Sequence, residues 1–270
     1  MKQTLIVGIC GIAVSAAMLA LGLNLGSSTP VPVEEPAAIE TPQAAEPDRG
    51  AVEAIVRDYL LNNPEVMLEV QAALEAKQHE EQRIAQSEAI AEQSSAIFNA
   101  ASDGHVGNSA GKVTVVEFFD YNCGFCKRAM ADMDALVQQD NDVRFVLKEF
   151  PILGPDSQKA HVVSMAFRTL YPEKYGPFHR ELLNGPGRAD EAKAMRIALE
   201  LGGDEAAIRK EMENPEIQAT FSKTYELANA LSITGTPSYV VGDEVVFGAL
   251  GLDVLSEKVA NFRSCQSTVC

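Results

Sequence analysis

The chain is poor in basic residues. Lys and Arg number 22 against 38 Asp and Glu, a formal charge of −16 over 270 residues, and no long basic run relieves the deficit. A surface of that sign repels a phosphate backbone and argues against nucleic acid as a partner. Histidine is scarce as well. His79, His105, His161 and His179 are scattered without ligand spacing, so they read as surface or internally satisfied side chains, and neither a metal nor a cofactor is expected. There are only five cysteines, Cys10, Cys123, Cys126, Cys265 and Cys270. A Cys-x-x-Cys pair is half a zinc site, yet no second ligand pair follows within a knuckle's length, and Cys265 and Cys270 are distant with a different spacing. Apolar content is 46%, enough for one substantial domain with additions.

The most informative stretch is 113–128. Residues 113–119, Val-Thr-Val-Val-Glu-Phe-Phe, form a β-branched and aromatic run that predicts a buried strand. It stops at the polar residues Asp120 and Asn122. Cys123-Gly124-Phe125-Cys126 follows, and Met130, Met133, Leu136 and Val137 then recur at helical spacing. A strand that delivers a Cys-x-x-Cys to a helix N-terminus sets unpaired N–H groups and the positive end of the helix dipole beside the first sulfur. That lowers the thiol pKa and makes Cys123 the nucleophile, with Cys126 one turn inside as the resolving thiol. The stretch predicts a thiol–disulfide site.

Ahead of it lie three segments. Residues 4–25 are almost uninterruptedly apolar after Lys2, about the 20 residues that span a bilayer. They read as an uncleaved anchor, with a cleaved signal peptide over 1–26 as the alternative. Lys2 on one flank and Glu34, Glu35 and Glu40 on the other put the body outside the cytoplasm, and Cys10 reads as a small apolar residue in lipid. Residues 27–49, rich in Pro, Ala and Glu, form an extended spacer. Residues 50–98 turn helical: Val52, Ile55, Val56, Tyr59 and Leu60 share one spacing. After Asn62-Asn63-Pro64, residues Val66, Met67, Val70, Ala73 and Leu74 share another. Such stripes need a partner, either the chain's own catalytic domain or a second copy met through a stalk.

The catalytic domain is expected over 99–270. Residues 98–113 read as a short polar lead-in with turns at Gly104, Gly107 and Gly111, and 143–150 as a second strand. Helices are expected at 157–171, 173–184, 189–202, 204–212 and 215–231. Two strands, 238–241 and 245–247, join through the hairpin turn Gly242-Asp243, and a last helix covers 252–262. Cys265 and Cys270 lie five apart in a polar tail. A structural disulfide is the default in an oxidising compartment, a second redox pair or metal clip the alternative.

Two motifs carry a resemblance. Cys123-Gly124-Phe125-Cys126 together with Thr236-Pro237 is similar to the Dsb branch of the thioredoxin superfamily. The run 118–128 and the block Tyr59-Leu60-Leu61-Asn62-Asn63-Pro64-Glu65 resemble the suppressor-of-copper-sensitivity C (ScsC) proteins. The resemblance implies an α/β thioredoxin fold of the DsbA-like kind, with a helical insertion over about 156–231, preceded by the stalk and the apolar segment. It implies a cis Pro237 packed beside the dithiol, with the backbone of Thr236 free to pair with a client segment. It places a buried acid at Glu117 beneath Cys126 to relay its proton, with Lys148 on the neighbouring strand as a candidate partner. Phe125 replaces the histidine of strongly oxidising relatives, which implies a milder oxidant, and Thr236 is the residue type of isomerase members. The implied function is a periplasmic thiol–disulfide isomerase or reductase. It would act on disulfide-containing clients, be reset by a membrane redox partner, and be joined through 50–98 as a homo-oligomer, a trimer in that family. A monomeric dithiol oxidase and a copper(I)-handling protein using the same cysteines are the competing readings.

Overall fold

The computed structural model describes residues 48–270. The apolar segment 4–25 with Cys10, and the spacer as far as residue 47, lie outside the described residues. Among the described residues no helix is long and apolar enough to cross a membrane. The chain divides into two compact units, one ending at Leu61 and the other running from Asn62 to Cys270.

The first unit is represented by helix α1 (Arg49–Asn62), which buries no residue. Most of its apolar residues face solvent, with Ile55 69% and Leu61 70% exposed, while Leu60 is half-buried.

The second unit opens with helix α2 (Val66–Glu92) and the short α3 (Ser94–Phe98). The start of α2 resembles α1, since Met67, Leu68, Val70 and Leu74 are all exposed. Its end does not. Ile90 and, in α3, Ile97 are buried in a cluster with Val116, Phe118, Val146, Leu231 and Val240, and the Gln86 side chain accepts the Val245 N–H at 2.8 Å. Within the segment 50–98, Ile90 and Ile97 thus belong to the core of the domain.

Strand β1 (Gly104–Gly107) follows, where the sequence suggested only a polar lead-in. Four residues with glycine at both ends give no readable period. Gly104 is required by a close approach: a Cβ there would lie 1.9 Å from a ring carbon of Tyr175. Then come β2 (Val113–Phe119), helix α4 (Gly124–Gln139) and β3 (Val143–Glu149). A helical block follows, made of α5 (Pro155–Leu170), a 3₁₀ turn (Pro172–Lys174), α6 (Tyr175–Asn184), α7 (Glu191–Glu200), α8 (Glu205–Met212) and α9 (Pro215–Ala230). The chain ends with β4 (Ser238–Val241), β5 (Glu244–Phe247) and α10 (Leu252–Cys265).

The sheet order is β1-β3-β2-β4-β5. Only β2 and β3 run parallel, and the other pairings are antiparallel. This is a thioredoxin-like α/β fold with helices inserted between β3 and β4. Strands β2 and β3 are buried on both faces; β2 reads accordingly as a β-branched and aromatic run broken by Glu117, while β3 carries Arg144, Lys148 and Glu149 among its apolar residues. One face carries Val113, Val115 and Phe119 with Phe145 and Leu147 into a core shared with Met130, Met133 and Leu255. The other carries Val116 and Phe118 against the end of α2. The tail folds back on the β4–β5 turn, where Asp243 accepts from the Ser267 hydroxyl and the Thr268 N–H at 2.8 and 2.9 Å. Cys265 and Cys270 are joined by a disulfide, S–S 2.01 Å.

Candidate active site

Strand β2 ends inside the protein and α4 begins four residues later, so the chain must reverse between Asp120 and Cys123. The turn is closed by the Cys123 N–H donating to Asp120 O at 2.9 Å. Asp120 Oδ1 accepts the Asn122 N–H at 2.7 Å. Cys123 is then the N-cap of α4, and its Sγ accepts the Cys126 N–H at 3.2 Å. A sulfur in that position takes one of the orphan amide donors of the helix end and sits at its positive pole.

Neither cysteine is in a disulfide. Cys123 is 5% exposed and Cys126 is fully buried. The two thiols are driven in opposite directions. Hydrogen bonding from the Cys126 thiol lowers Cys123 to about 6; burial opposes this, and the Thr236 side chain and the Cys126 and Phe125 amides reinforce it. Burial, the hydrogen bond to Cys123 and the Glu117 charge push Cys126 far above the ordinary thiol range. Cys123 is thus the more acidic thiol of the pair and Cys126 the less acidic.

The Thr236-Pro237 peptide bond is cis, and Cys123 Sγ lies 3.1 Å from Thr236 O. Only the thiol can donate to that carbonyl; the thiolate is served instead by the donors named above. Gly124 has no atom near the place of a Cβ. Phe125 is 57% exposed, with the Arg128 guanidinium 4.2 Å over its ring. Phe125 thus reaches the thiolate through its amide, not its ring.

Glu117 is buried on the Phe119 side of the sheet, and its Oε2 has no protein partner. Burial, and secondarily the charge on Cys123, raise it to about 8. Lys148 does not join it. In the parallel register Glu117 stands opposite Leu147, and Lys148 opposite Phe118, so the two side chains leave opposite faces of the sheet. Lys148 Nζ donates instead to Asp103 Oδ2 at 2.6 Å and to Ala96 O. Burial raises Asp103 to about 6 and lowers Lys148. The expected Glu117–Lys148 pair is corrected to Asp103–Lys148, a buried tie between β3 and the segment before β1.

The sequence reading also missed a buried polar cluster beside the turn. His161 and His179 are both fully buried, so of the two readings given for the histidines they follow the internal one. His161 bonds the Tyr121 N–H and the Glu149 carboxylate. Ser157, on the same helix, donates to Asp120 at 2.8 Å. A signal was present: Ser157, His161 and Ser164 recur at helical spacing on a face of α5 that is otherwise apolar.

Two known families match separate parts of the chain. Residues 114–260 match the DsbA-like thioredoxin domain, and residues 48–81 match the N-terminal domain of copper resistance protein ScsC. A thioredoxin-like oxidoreductase from Silicibacter pomeroyi is similar in structure, with 41% identity and a TM-score of 0.60 over 63% of this chain and 98% of that one. A linker-deletion mutant of Proteus mirabilis ScsC is 26% identical with a TM-score of 0.63, over 83% of this chain and 99% of its own. Disulfide bond formation protein D of Bacillus subtilis is 25% identical over 164 residues, 57% of this chain and 74% of that protein.

Proposed function

Because the chain belongs to the DsbA-like thioredoxin-domain family, we propose that its thiol–disulfide exchange serves isomerisation and reduction of misfolded client proteins in the periplasm, with Cys123 as nucleophile. The observation that carries this reading is the asymmetry of the dithiol: an N-cap sulfur held as thiolate above a buried sulfur held as thiol. The Cys123 thiolate attacks one sulfur of a client disulfide, forming a mixed disulfide and releasing the other client sulfur as a thiolate. A client thiolate then attacks the client sulfur of that mixed disulfide, which expels the Cys123 thiolate and leaves a rearranged client. Alternatively Cys126 loses its proton and attacks Cys123 Sγ, which releases the client reduced and leaves the Cys123–Cys126 disulfide for a membrane redox partner to reset.

The isomerase direction draws on the exposed apolar residues of α1 and of the start of α2, within the part that matches the ScsC N-terminal domain. We assign these residues to self-association, a trimer by analogy with the family. Several dithiols on one particle then meet one client at high effective concentration. Copper(I) capture by the same two sulfurs is the competing reading, since soft thiolates suit that ion.

The test is the mass of the full chain in solution together with refolding of a scrambled-disulfide substrate. A multi-subunit particle that restores the substrate is expected. The Ile55→Glu/Leu61→Glu variant should be monomeric and about tenfold slower in rescue, while still exchanging with a small disulfide. A wild-type monomer that oxidises reduced substrates and cannot rescue scrambled ones would contradict the reading.

A further inference from the structure

The turn that carries the nucleophile is gripped from the helical block, and the grip has a single consistent set of protons. Tyr121 N can only donate, and it donates to His161 Nε2 at 3.2 Å. That nitrogen is therefore bare, and the His161 proton sits on Nδ1, directed at Glu149 Oε2. Glu149 Oε1 accepts from the Ser164 hydroxyl at 2.7 Å and the Tyr175 hydroxyl at 3.1 Å. With its proton committed to Glu149, Ser164 must accept from the Tyr121 hydroxyl, 2.8 Å away. The Tyr121 oxygen in turn accepts from His179 Nδ1 at 3.3 Å. Tyr121 is thus tied at both its backbone and its hydroxyl to one buried carboxylate. Asn122 is clasped too: its Oδ1 accepts the Ala189 N–H at 2.7 Å, and its Nδ2 donates to Ala189 O at 2.8 Å.

We propose that His161, as a neutral imidazole oriented by Glu149, is a positioning residue for the nucleophile: by holding the Tyr121 amide it fixes the turn that sets Cys123 Sγ against the amides of α4. The inference rests on the reading of Cys123 as the nucleophile. Within the turn, the Asn122 and Cys123 N–H groups are both satisfied by Asp120. The Tyr121 N–H is the one whose partner comes from another element, and without an acceptor it would be a buried unpaired donor. The turn would have to shift to find one, and Cys123 is its last residue. Neither His161 nor Glu149 touches a reacting sulfur, so the effect passes through geometry alone.

The test is the ultraviolet titration of the Cys123 thiolate in the reduced full chain. His161→Leu removes the acceptor and should move the midpoint up by about one pH unit, the scale of one hydrogen bond to a charged group. His161→Gln keeps an acceptor and should stay near wild type. Phe167→Leu, a core change on the same helix outside the polar cluster, should lower stability and leave the midpoint in place. If His161→Leu does not fold, Tyr121→Phe cuts the hydroxyl tie alone and should raise the midpoint by about half a unit. An unmoved midpoint in the folded variant, or an equal rise in Phe167→Leu, would overturn the proposal. A wild-type midpoint near the ordinary thiol value would instead sink the assignment of Cys123 as an activated nucleophile, so the two failures are distinguishable.

Discussion

Replacing Cys126 with serine is expected to turn the protein into a trap. Attack by Cys123 does not need Cys126 to ionise, so the mixed disulfide still forms. Its release as reduced client does need the second sulfur. Cys126 is held one helical turn from Cys123, with its amide on Cys123 Sγ at 3.2 Å, so it acts as an intramolecular reactant. Losing it should slow net reduction of a client without free thiols by at least roughly a thousandfold, a modest share of the advantage that such placement gives. The trapped client should be visible by mass as an adduct on Cys123 and absent from a Cys123→Ser variant. Clients with a thiol of their own should still be released as rearranged isomers. An adduct on any other residue, or unimpaired reduction, would contradict the assignment of nucleophile and resolving thiol.

The second large effect belongs to Glu117. Its carboxyl is buried, and the thiolate above it helps to keep it protonated, near 8. When Cys123 enters a mixed disulfide that negative charge disappears. Glu117 then ionises more readily, at the moment when Cys126 must surrender a proton. We propose that the charge state of one sulfur in this way readies Glu117 to act as the base for the other. Glu117→Gln should leave the rate of attack unchanged and slow the resolving step by about a hundredfold, within the range for a positioned general base. Stability gives an independent readout. Between about 4.5 and about 8 the folded reduced chain keeps a proton on Glu117 that the unfolded chain has lost. The contribution of Glu117 to stability is therefore full below that window and is lost as pH rises through it, by roughly 5 kcal/mol at most. Denaturant titrations of the reduced protein across that window should fall more steeply with pH in wild type than in Glu117→Gln, which keeps only the contributions of other groups such as Asp103 and Cys123. Equal slopes, with an unaltered resolving rate, would remove Glu117 from the mechanism.

What could be read from the sequence follows from how each element is stabilised. Residues 113–119 were legible because β2 is buried on both faces and is β-branched or aromatic at every position but Glu117. The helices of the inserted block were legible because Pro172, Gly185-Pro186-Gly187, Gly202-Gly203 and Pro215 separate them. Strand β1 was not, since its place is set by pairing with β3 and by the approach of Gly104 to Tyr175, neither of which leaves a local pattern. The face of Lys148 was not legible either, because alternation gives two sets of residues and not which of them faces the dithiol. Glu117 and Lys148 differ by one register step, and that step separates a group under the sulfur from a tie on the far side. The apolar stripes at Val52–Leu60 and Val66–Leu74 are the clearer pattern, yet it is Ile90 and Ile97, after them, that enter the core. His161 seemed unremarkable because its partners, Tyr121 and Glu149, come from a turn and a strand that only the fold brings to α5.

The most direct test of the account is the rate at which the reduced protein reacts with a limiting alkylating agent as pH is varied, with the modified cysteine identified by peptide mass. Modification confined to Cys123, with a midpoint near 6, is the predicted result. Modification of Cys126, or a midpoint at the ordinary thiol value near 9, would mean that the end of α4 does not activate its N-cap sulfur.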